Sequence, residues 1–376
     1  MDIGTESNKL VRVKMGVYVK NKLCYIIFQE QSILVVNNDI AKYYVFEDSP
    51  VLNCLLSALE NNILTNDKLD RISQQLSENI DILFKVLNEL IKLKIVFYVD
   101  ETEEEFNINH ITDERFSTEI LYLNKFTSKQ YQLLQAIQSK RVVIIGAGAL
   151  GSSLALKISA IGVRDIICID GDKIELDNLT RQILYTPGDI EKNLFKVSAL
   201  ESRIKDFFPS SQFQGIKSYI TSYDDCVNYI PHNSDLIIQT ADYPIGKLDD
   251  WINKVSLKYN IPVIFSHFGS VGPFLIPSET GCLRCLDQFL DTKTNGLNSI
   301  TKNFFQNIPN SKSPSFVTGT QLNELLILDI IKKFWISDEY RDFYNKVYTF
   351  YDGFSDIKTL IFPTVENCIC RRNYHE

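Results

Sequence analysis

Arg141-Val-Val-Ile-Ile-Gly-Ala-Gly-Ala-Leu-Gly151 is an apolar run that breaks at a glycine turn and resumes as an apolar helix. Gly146 permits the tight turn, Gly148 lets the backbone approach a phosphate, and Gly151 lets helix and strand pack closely. The free N–H groups at the helix start attract an anion. Nineteen residues past Gly151, Asp170 ends the apolar run Ile166-Ile-Cys-Ile169, where a carboxylate can accept both hydroxyls of a ribose. The stretch therefore reads as a nucleotide-binding strand, turn and helix. On these features alone a dinucleotide oxidoreductase is the default reading. The residues after Asp170 point elsewhere: Asp172, Asn178, Arg181, Gln182 and Lys196 bring polar and cationic groups to where a triphosphate, more than a pyrophosphate bridge, needs neutralising. Taken singly, Arg181 and Lys196 also read as solvated surface charges.

The second constellation is Cys282-Leu-Arg-Cys285 with Cys368-Ile-Cys370. Four thiolates in two close pairs suit a tetrahedral Zn2+ that contributes folding energy without doing chemistry. The alternative is a set of reduced thiols, which also describes the isolated Cys24, Cys54, Cys168 and Cys226. Cys168 lies inside an apolar run and reads as core.

With 376 residues, 45% of them hydrophobic, the chain has enough core for two domains. A net charge of −8 without a basic cluster argues against a nucleic-acid partner. The N-terminus shows no basic segment followed by an apolar run, so no signal peptide is expected. Val142 to Val163 has the length of a membrane span, but Lys157 and four glycines make it a buried strand plus helix. Eight cysteines without a secretion signal fit a reducing cytoplasm.

The acidic run Asp100-Glu-Thr-Glu-Glu-Glu105 is read as a linker, giving domains over 1–105 and 106–376. Ahead of it, Val11 to Val19, Leu23 to Phe28 and Ile33 to Val36 are short β-rich runs. Ser49-Pro50 caps a helix carrying Val51, Leu55, Leu56 and Leu59. Ile80, Leu83, Phe84, Leu87 and Leu90 share one face of a further helix, and Ile95 to Val99 reads as a strand. Three strands, about three helices and a closing strand suit a small winged-helix module.

From about Glu114 onward the chain resembles the E1-like (ThiF/MoeB/MccB) adenylating family, nearest its peptide-modifying members of the MccB and PaaA type. The resemblance rests on the glycine turn, on Asp170, and on Asn178-Leu-Thr-Arg-Gln182. It also rests on Lys196-Val-Ser-Ala with Phe208-Pro209 a helix length later. It implies a Rossmann-like α/β adenylation domain that uses ATP and Mg2+. Asp170 then holds the ribose, Asn178, Arg181 and Lys196 hold the phosphates, and Asp242 is the magnesium-associated aspartate. The family's distant cysteine pairs are both CxxC, whereas the second pair here is CxC. No cysteine lies between Cys285 and Cys368 to serve a thioester relay. The family's Arg-Tyr-x-Arg reads Arg115-Phe-Ser-Thr118 here, so the arginine that crosses to a partner subunit is replaced by Thr118, leaving Arg115 as the nearby cation. Glu191 stands near the place of a usual glycine, in a loop about two residues longer.

The N-terminal module is similar in length, order and position to PqqD-like domains that bind a leader peptide; the competing reading is a packing extension that stabilises a dimer. The resemblance implies a homodimer that activates a carboxyl of a ribosomally made precursor peptide as an acyl adenylate, as in antibiotic-type biosynthesis. Activation of a ubiquitin-like sulfur carrier and a catalytically silent peptide-docking protein remain alternatives. His267, after the strand Val263-Ile-Phe-Ser, reads either as a general base or as a hydrogen-bonded structural residue. The helix begun by Thr318-Gly-Thr-Gln is assigned to scaffold.

Overall fold

The computed structural model describes residues 16–61, 63–100, 102, 114–306, 317–350 and 356–371. The chain divides into two compact units, residues 1–135 and 136–376. Of the acidic run read as a linker, residues 101 and 103–105 lie outside the described residues, as do 11–15 of the first expected strand.

The first unit contains strands β1 (Val17–Lys20), β2 (Cys24–Phe28), β3 (Ser32–Asn37), β4 (Lys42–Glu47), β5 (Leu64–Thr65) and β6 (Val96–Val99). Its helices are α1 (Pro50–Asn61), α2 (Asn66–Leu76), α3 (Ile80–Lys92) and α4 (Ser117–Leu123), and α5 (Gln130–Gln138) leads out of it. Two antiparallel sheets form, in the orders β5-β1-β6 and β2-β3-β4. Leu55 and Leu56 of α1 and Leu83, Leu87 and Leu90 of α3 are buried with Ile33 and Val35 of β3 in one apolar core. Asn21 and Asn37 are buried but satisfied: Asn37 Nδ2 donates to the carbonyls of Leu93 and Lys94, both at 3.2 Å, and Asn21 Nδ2 to that of Lys94 at 2.9 Å. Sequence reading misses β4. The polar stretch Asn37-Asn38-Asp39 looks like the end of a strand region, yet it is a hairpin turn. The Asn37 Oδ1 accepts the Asp39 N–H at 3.1 Å and Ala41 takes a left-handed φ of 51°, which returns the chain alongside β3.

The second unit carries strands β7 (Arg141–Ile145), β8 (Asp165–Ile169), β9 (Gln214–Ile216), β10 (Leu236–Gln239), β11 (Val263–His267), β12 (Ser270–Leu275), β13 (Lys346–Thr349) and β14 (Lys358–Ile361). They form one sheet in the order β14-β13-β12-β11-β10-β7-β8-β9, parallel from β11 to β9 and antiparallel from β11 to β14. Helices α6 (Ala149–Ile161), α7 (Pro187–Glu191), α8 (Lys196–Phe207), α9 (Tyr223–Tyr229), α10 (Lys247–Tyr259), α11 (Leu283–Lys293), α12 (Leu297–Phe305) and α13 (Gln321–Ile336) complete it. Strands β7, β8, β10 and β11 are nearly continuous apolar runs, as strands covered on both faces must be. Val142 to Val163 is indeed strand, turn and helix. Among the described residues no helix is long and apolar enough to cross a membrane.

The topology fixes where a ligand can sit. Strand β7 is flanked by β8 on one side and by β10 on the other, so successive strands leave it in opposite directions. A crevice opens at the carboxyl ends of strands at such a reversal.

Candidate nucleotide site

The glycine turn lies at the end of β7, over that crevice. Gly146 has φ of 97°, and its N–H donates to the Ile169 carbonyl at 2.9 Å. A Cβ on Gly151 would stand 1.9 Å from the Gly146 carbonyl oxygen, so only glycine lets α6 start this close to the strand. A Cβ on Gly148 would meet nothing nearer than Gln182 Nε2 at 4.0 Å, which leaves that peptide open to the crevice. The Thr240 Oγ1 closes the other side, donating to the Ile145 carbonyl at 2.8 Å.

Asp170 fastens the turn. Its Oδ2 accepts the Ala147 N–H at 2.6 Å and its Oδ1 accepts the Asp172 N–H at 2.7 Å. Each oxygen keeps a further lone pair, so the carboxylate can still receive two hydroxyls. Burial pushes its carboxyl above the ordinary value, and the Lys196 charge and the two N–H donors offset part of that. Lys196 is only 7% exposed, so it is not a solvated surface charge. Its Nζ lies 2.7 Å from Asp172 Oδ2, while its backbone N–H donates to the Asp172 carbonyl at 2.9 Å. Burial opposes the charge on Asp172, but the hydrogen bonds from Lys196 and Tyr219 hold its carboxyl below the usual range. The Tyr219 hydroxyl donates to Asp172 Oδ1 at 2.7 Å and is itself pushed up to about 12, first by that bond.

The remaining predicted residues fall around this pair. Asn178 is buried, its Oδ1 accepting the Glu175 N–H at 3.0 Å. Half-buried Arg181 donates through Nη1 to the Asp177 carbonyl at 2.7 Å. Gln182 is buried with its Oε1 unpartnered, beside Gly148. In the loop before Lys196, Asn193 adopts a left-handed φ of 52°. Arg115 is exposed on the single turn Glu114–Phe116 in the first unit, and Thr118 bonds to Glu119 at 2.9 Å.

The ends of β10 and β11 carry a second group. Asp242 lies exposed in the loop after β10, and desolvation of the carboxylate by neighbouring groups, with the Asp249 charge, raises its carboxyl. His267 Nε2 stands 3.3 Å from Asp249 Oδ2. Gln239 Nε2 donates to Asp249 Oδ1 at 3.0 Å and to the Ala241 carbonyl at 2.9 Å, while its Oε1 accepts the Ala241 N–H at 3.2 Å. Asn323, in the first turn of α13, donates to the His267 carbonyl at 2.7 Å. The neighbouring Glu324 holds Ser153 and Lys157 of α6 at 2.5 and 2.6 Å.

Sequence reading misses Tyr185, Tyr219, Gln239, Asp249 and Asn323. Tyr185 donates to the Ala147 carbonyl at 2.7 Å from beneath the glycine turn. Only Gln239 gives a signal, as a polar residue ending the apolar run Leu236-Ile-Ile.

The four paired cysteines come together. Their sulfurs all lie within 4.8 Å of one another, with Cys282 to Cys368 at 3.5 Å and Cys285 to Cys370 at 3.6 Å. A tetrahedron with Zn–S bonds of about 2.3 Å has edges of roughly 3.8 Å, so the set fits Zn2+ despite the CxC spacing. The Val365 N–H donates to Cys285 Sγ at 3.4 Å, the kind of bond that orients a metal ligand.

The model of the ThiF family matches residues 118–359, more than half of the chain. The chain belongs to the ThiF family. Its sheet order and glycine turn are the E1-like adenylation fold of that family. It is 31% identical over 175 residues to the sulfur carrier protein ThiS adenylyltransferase of Bacillus subtilis, a match over 46% of this chain and 50% of that protein. With the ThiS adenylyltransferase of Escherichia coli it is 30% identical over 46% of this chain and 66% of the relative. The chain thus spans about half to two thirds of these curated relatives.

Solved structures extend the ThiF-family likeness over nearly the whole chain, as fold. E. coli MccB crystallised with AMPCPP and MccA superposes with a TM-score of 0.68 at 20% identity, covering 94% of this chain and 98% of MccB. PaaA superposes with a TM-score of 0.59 at 19% identity, covering 77% of this chain and 95% of PaaA.

Proposed function

We propose that this ThiF-family chain converts a peptide carboxyl to an acyl adenylate with ATP, and that the substrate is a ribosomally made precursor peptide. The observation that carries the adenylating part is the buried Lys196 paired with Asp172 beside the carboxylate of Asp170, at an open glycine turn. A carboxylate is a poor electrophile because its leaving group is an oxide. Attack of its oxygen on the α-phosphate of ATP gives a mixed anhydride and releases pyrophosphate. Lys196 and Arg181 stabilise charge on the phosphates in that step, and Gly148 lets the backbone N–H groups approach. Asp170 holds the ribose. Asp242, exposed in the loop after β10, would hold Mg2+, which offsets triphosphate charge when bound. Arg115 is the cation left to substitute for the arginine absent at Thr118. Zn2+ in the four-cysteine cluster would serve folding alone.

The peptide part is supported by the first unit, which the MccB likeness includes and which offers sheet edges on β2 and β4. An extended leader added to such an edge gains main-chain bonds, as in a winged-helix, PqqD-like module. The sequence relatives favour a second reading, adenylation of a folded sulfur carrier, since both cited above are ThiS adenylyltransferases. Phosphorus NMR of the protein with ATP, magnesium and a candidate precursor peptide tests the first reading; AMP and pyrophosphate that depend on the peptide are the expected products. ADP and phosphate would exclude an adenylate. Turnover only with a Gly-Gly-terminated carrier protein would establish the second reading, and peptide binding without turnover a silent docking protein. Light scattering should report a homodimer.

A further inference from the structure

His267 does not resemble a histidine buried for packing. It ends β11 at the carboxyl edge of the sheet, its side chain is 39% exposed, and only Nε2 has a described partner. That partner, Asp249, is 16% exposed and is held on its other oxygen by Gln239. Gln239 in turn clamps both backbone groups of Ala241, the residue before Asp242, and Asn323 fixes the His267 carbonyl. Asp249 beside Nε2 favours a proton on that nitrogen, so in the neutral ring Nδ1 carries the lone pair. Burial opposes the charged ring, but Asp249 and Asp242 together raise its pKa above the ordinary value, so the ring holds a proton well once it has accepted one. Thr240, which touches the glycine turn, follows Gln239 directly, so this assembly borders the nucleotide half of the site.

We infer that His267, oriented by Asp249 and Gln239, accepts the proton of an N–H or O–H nucleophile as that nucleophile displaces AMP from the acyl adenylate. The inference rests on the adenylating reading above. In the step a bond forms from the nucleophile to the acyl carbon, and the bond from that carbon to the phosphate oxygen breaks. The electron pair leaves with AMP, the proton passes to Nδ1, and Asp249 stabilises the imidazolium. The assignment selects a class of second substrate: amine, amide or hydroxyl, which must lose a proton to become competent, in preference to a thiol already ionised.

The test separates the two halves of the reaction, using a synthetic precursor peptide that supports AMP release in the assay above. His267→Asn should retain peptide-dependent exchange of labelled pyrophosphate into ATP, and should still yield peptide hydroxamate with hydroxylamine, a nucleophile unprotonated at neutral pH. Modified peptide should fall at least about 100-fold, the usual worth of a positioned base. Asp249→Asn should fall less in the same assay, and nitrogen-15 NMR should show the His267 Nε2–H tautomer in wild type and its loss in this variant. If His267→Asn makes modified peptide at the wild-type rate, or loses exchange and hydroxamate together while Asp249→Asn keeps its product, the inference is overturned and adenylation stands. Absence of exchange in wild type would overturn the adenylating reading itself, and the inference with it.

Discussion

The crevice has two halves built on different plans. On the β7–β8 side, the glycine turn, Asp170, Asp172, Asn178, Arg181, Gln182 and Lys196 fall within one stretch of chain, and the site is organised by backbone N–H groups and by the ion pair of buried Lys196 with half-exposed Asp172. On the β10–β11 side, Gln239, Asp249, His267 and Asn323 come from four separate elements and are joined by side chains that reach one another or a backbone carbonyl. The first half is specified by local conformation, the second by packing. A turn that glycine makes possible survives as long as the chain can bend there. A histidine dyad survives only while α10, α13 and two strands keep their places.

Removal of the metal proposed for the four-cysteine cluster should exploit that difference with the largest effect. The Leu283 N–H, beside Cys282, donates to Asn253 of α10 at 3.1 Å, and α10 carries Asp249. Structural zinc is worth about 10–16 kcal/mol in isolated zinc-finger peptides, an upper bound for a domain with its own core. Chelation, or Cys285→Ser, should lower the melting temperature by on the order of 10 °C. It should abolish product formation before it weakens ATP binding, as measured by calorimetry. Equal loss of both would show that the halves are not independent, and a metal content near zero by elemental analysis would remove the zinc assignment.

Lys196→Met should come next. It removes the only described partner that is charged at Asp172, and the phosphate contact proposed above. Loss of such a stabilising charge typically lowers turnover about 100- to 1,000-fold. The His267 tautomer should be unchanged by NMR; if it changes, the halves are coupled through β10.

Gln239→Leu is a milder change on the other side. It deletes one bond to Asp249 and two to Ala241 while placing an apolar side chain of similar size in a buried strand end. We expect roughly a tenfold fall in product formation, about 1.4 kcal/mol, with pyrophosphate exchange retained. A larger fall in exchange than in product would place Gln239 in the nucleotide half.

What was legible in the sequence follows the same division. Glycine at Gly146 and Gly151 is demanded by a positive φ and by a close approach, constraints that leave marks at fixed spacing. The cysteine pairs could be read because thiols so spaced have few other uses. Asp249 could not, because an aspartate on a helix reads as surface until the fold turns it toward His267. Likewise β4 was hidden because a hairpin depends on Ala41 taking a left-handed φ, which alanine does not announce.

Tyr219 offers the finest test, since it joins the locally specified half by a long-range contact. It reaches across from after β9 to Asp172, and its ring covers Gly171, where a Cβ would stand 2.6 Å from it. The residue is 59% exposed, so deleting the hydroxyl removes one solvent-screened bond of at most about 1 kcal/mol. Tyr219→Phe should therefore raise the Michaelis constant for ATP no more than about fivefold while the ring still shields Gly171. The sign of its pH effect also follows. Asp172 is held below its unfolded value, so its contribution to stability is complete above that value and is lost as pH falls through the folded one. Without Tyr219 the folded value moves up toward the unfolded one and that contribution shrinks at neutral pH, so acid unfolding should begin at a slightly higher pH. An unchanged acid midpoint together with a large rise in the Michaelis constant would mean that Tyr219 acts on the nucleotide directly, and that this half too depends on packing from afar.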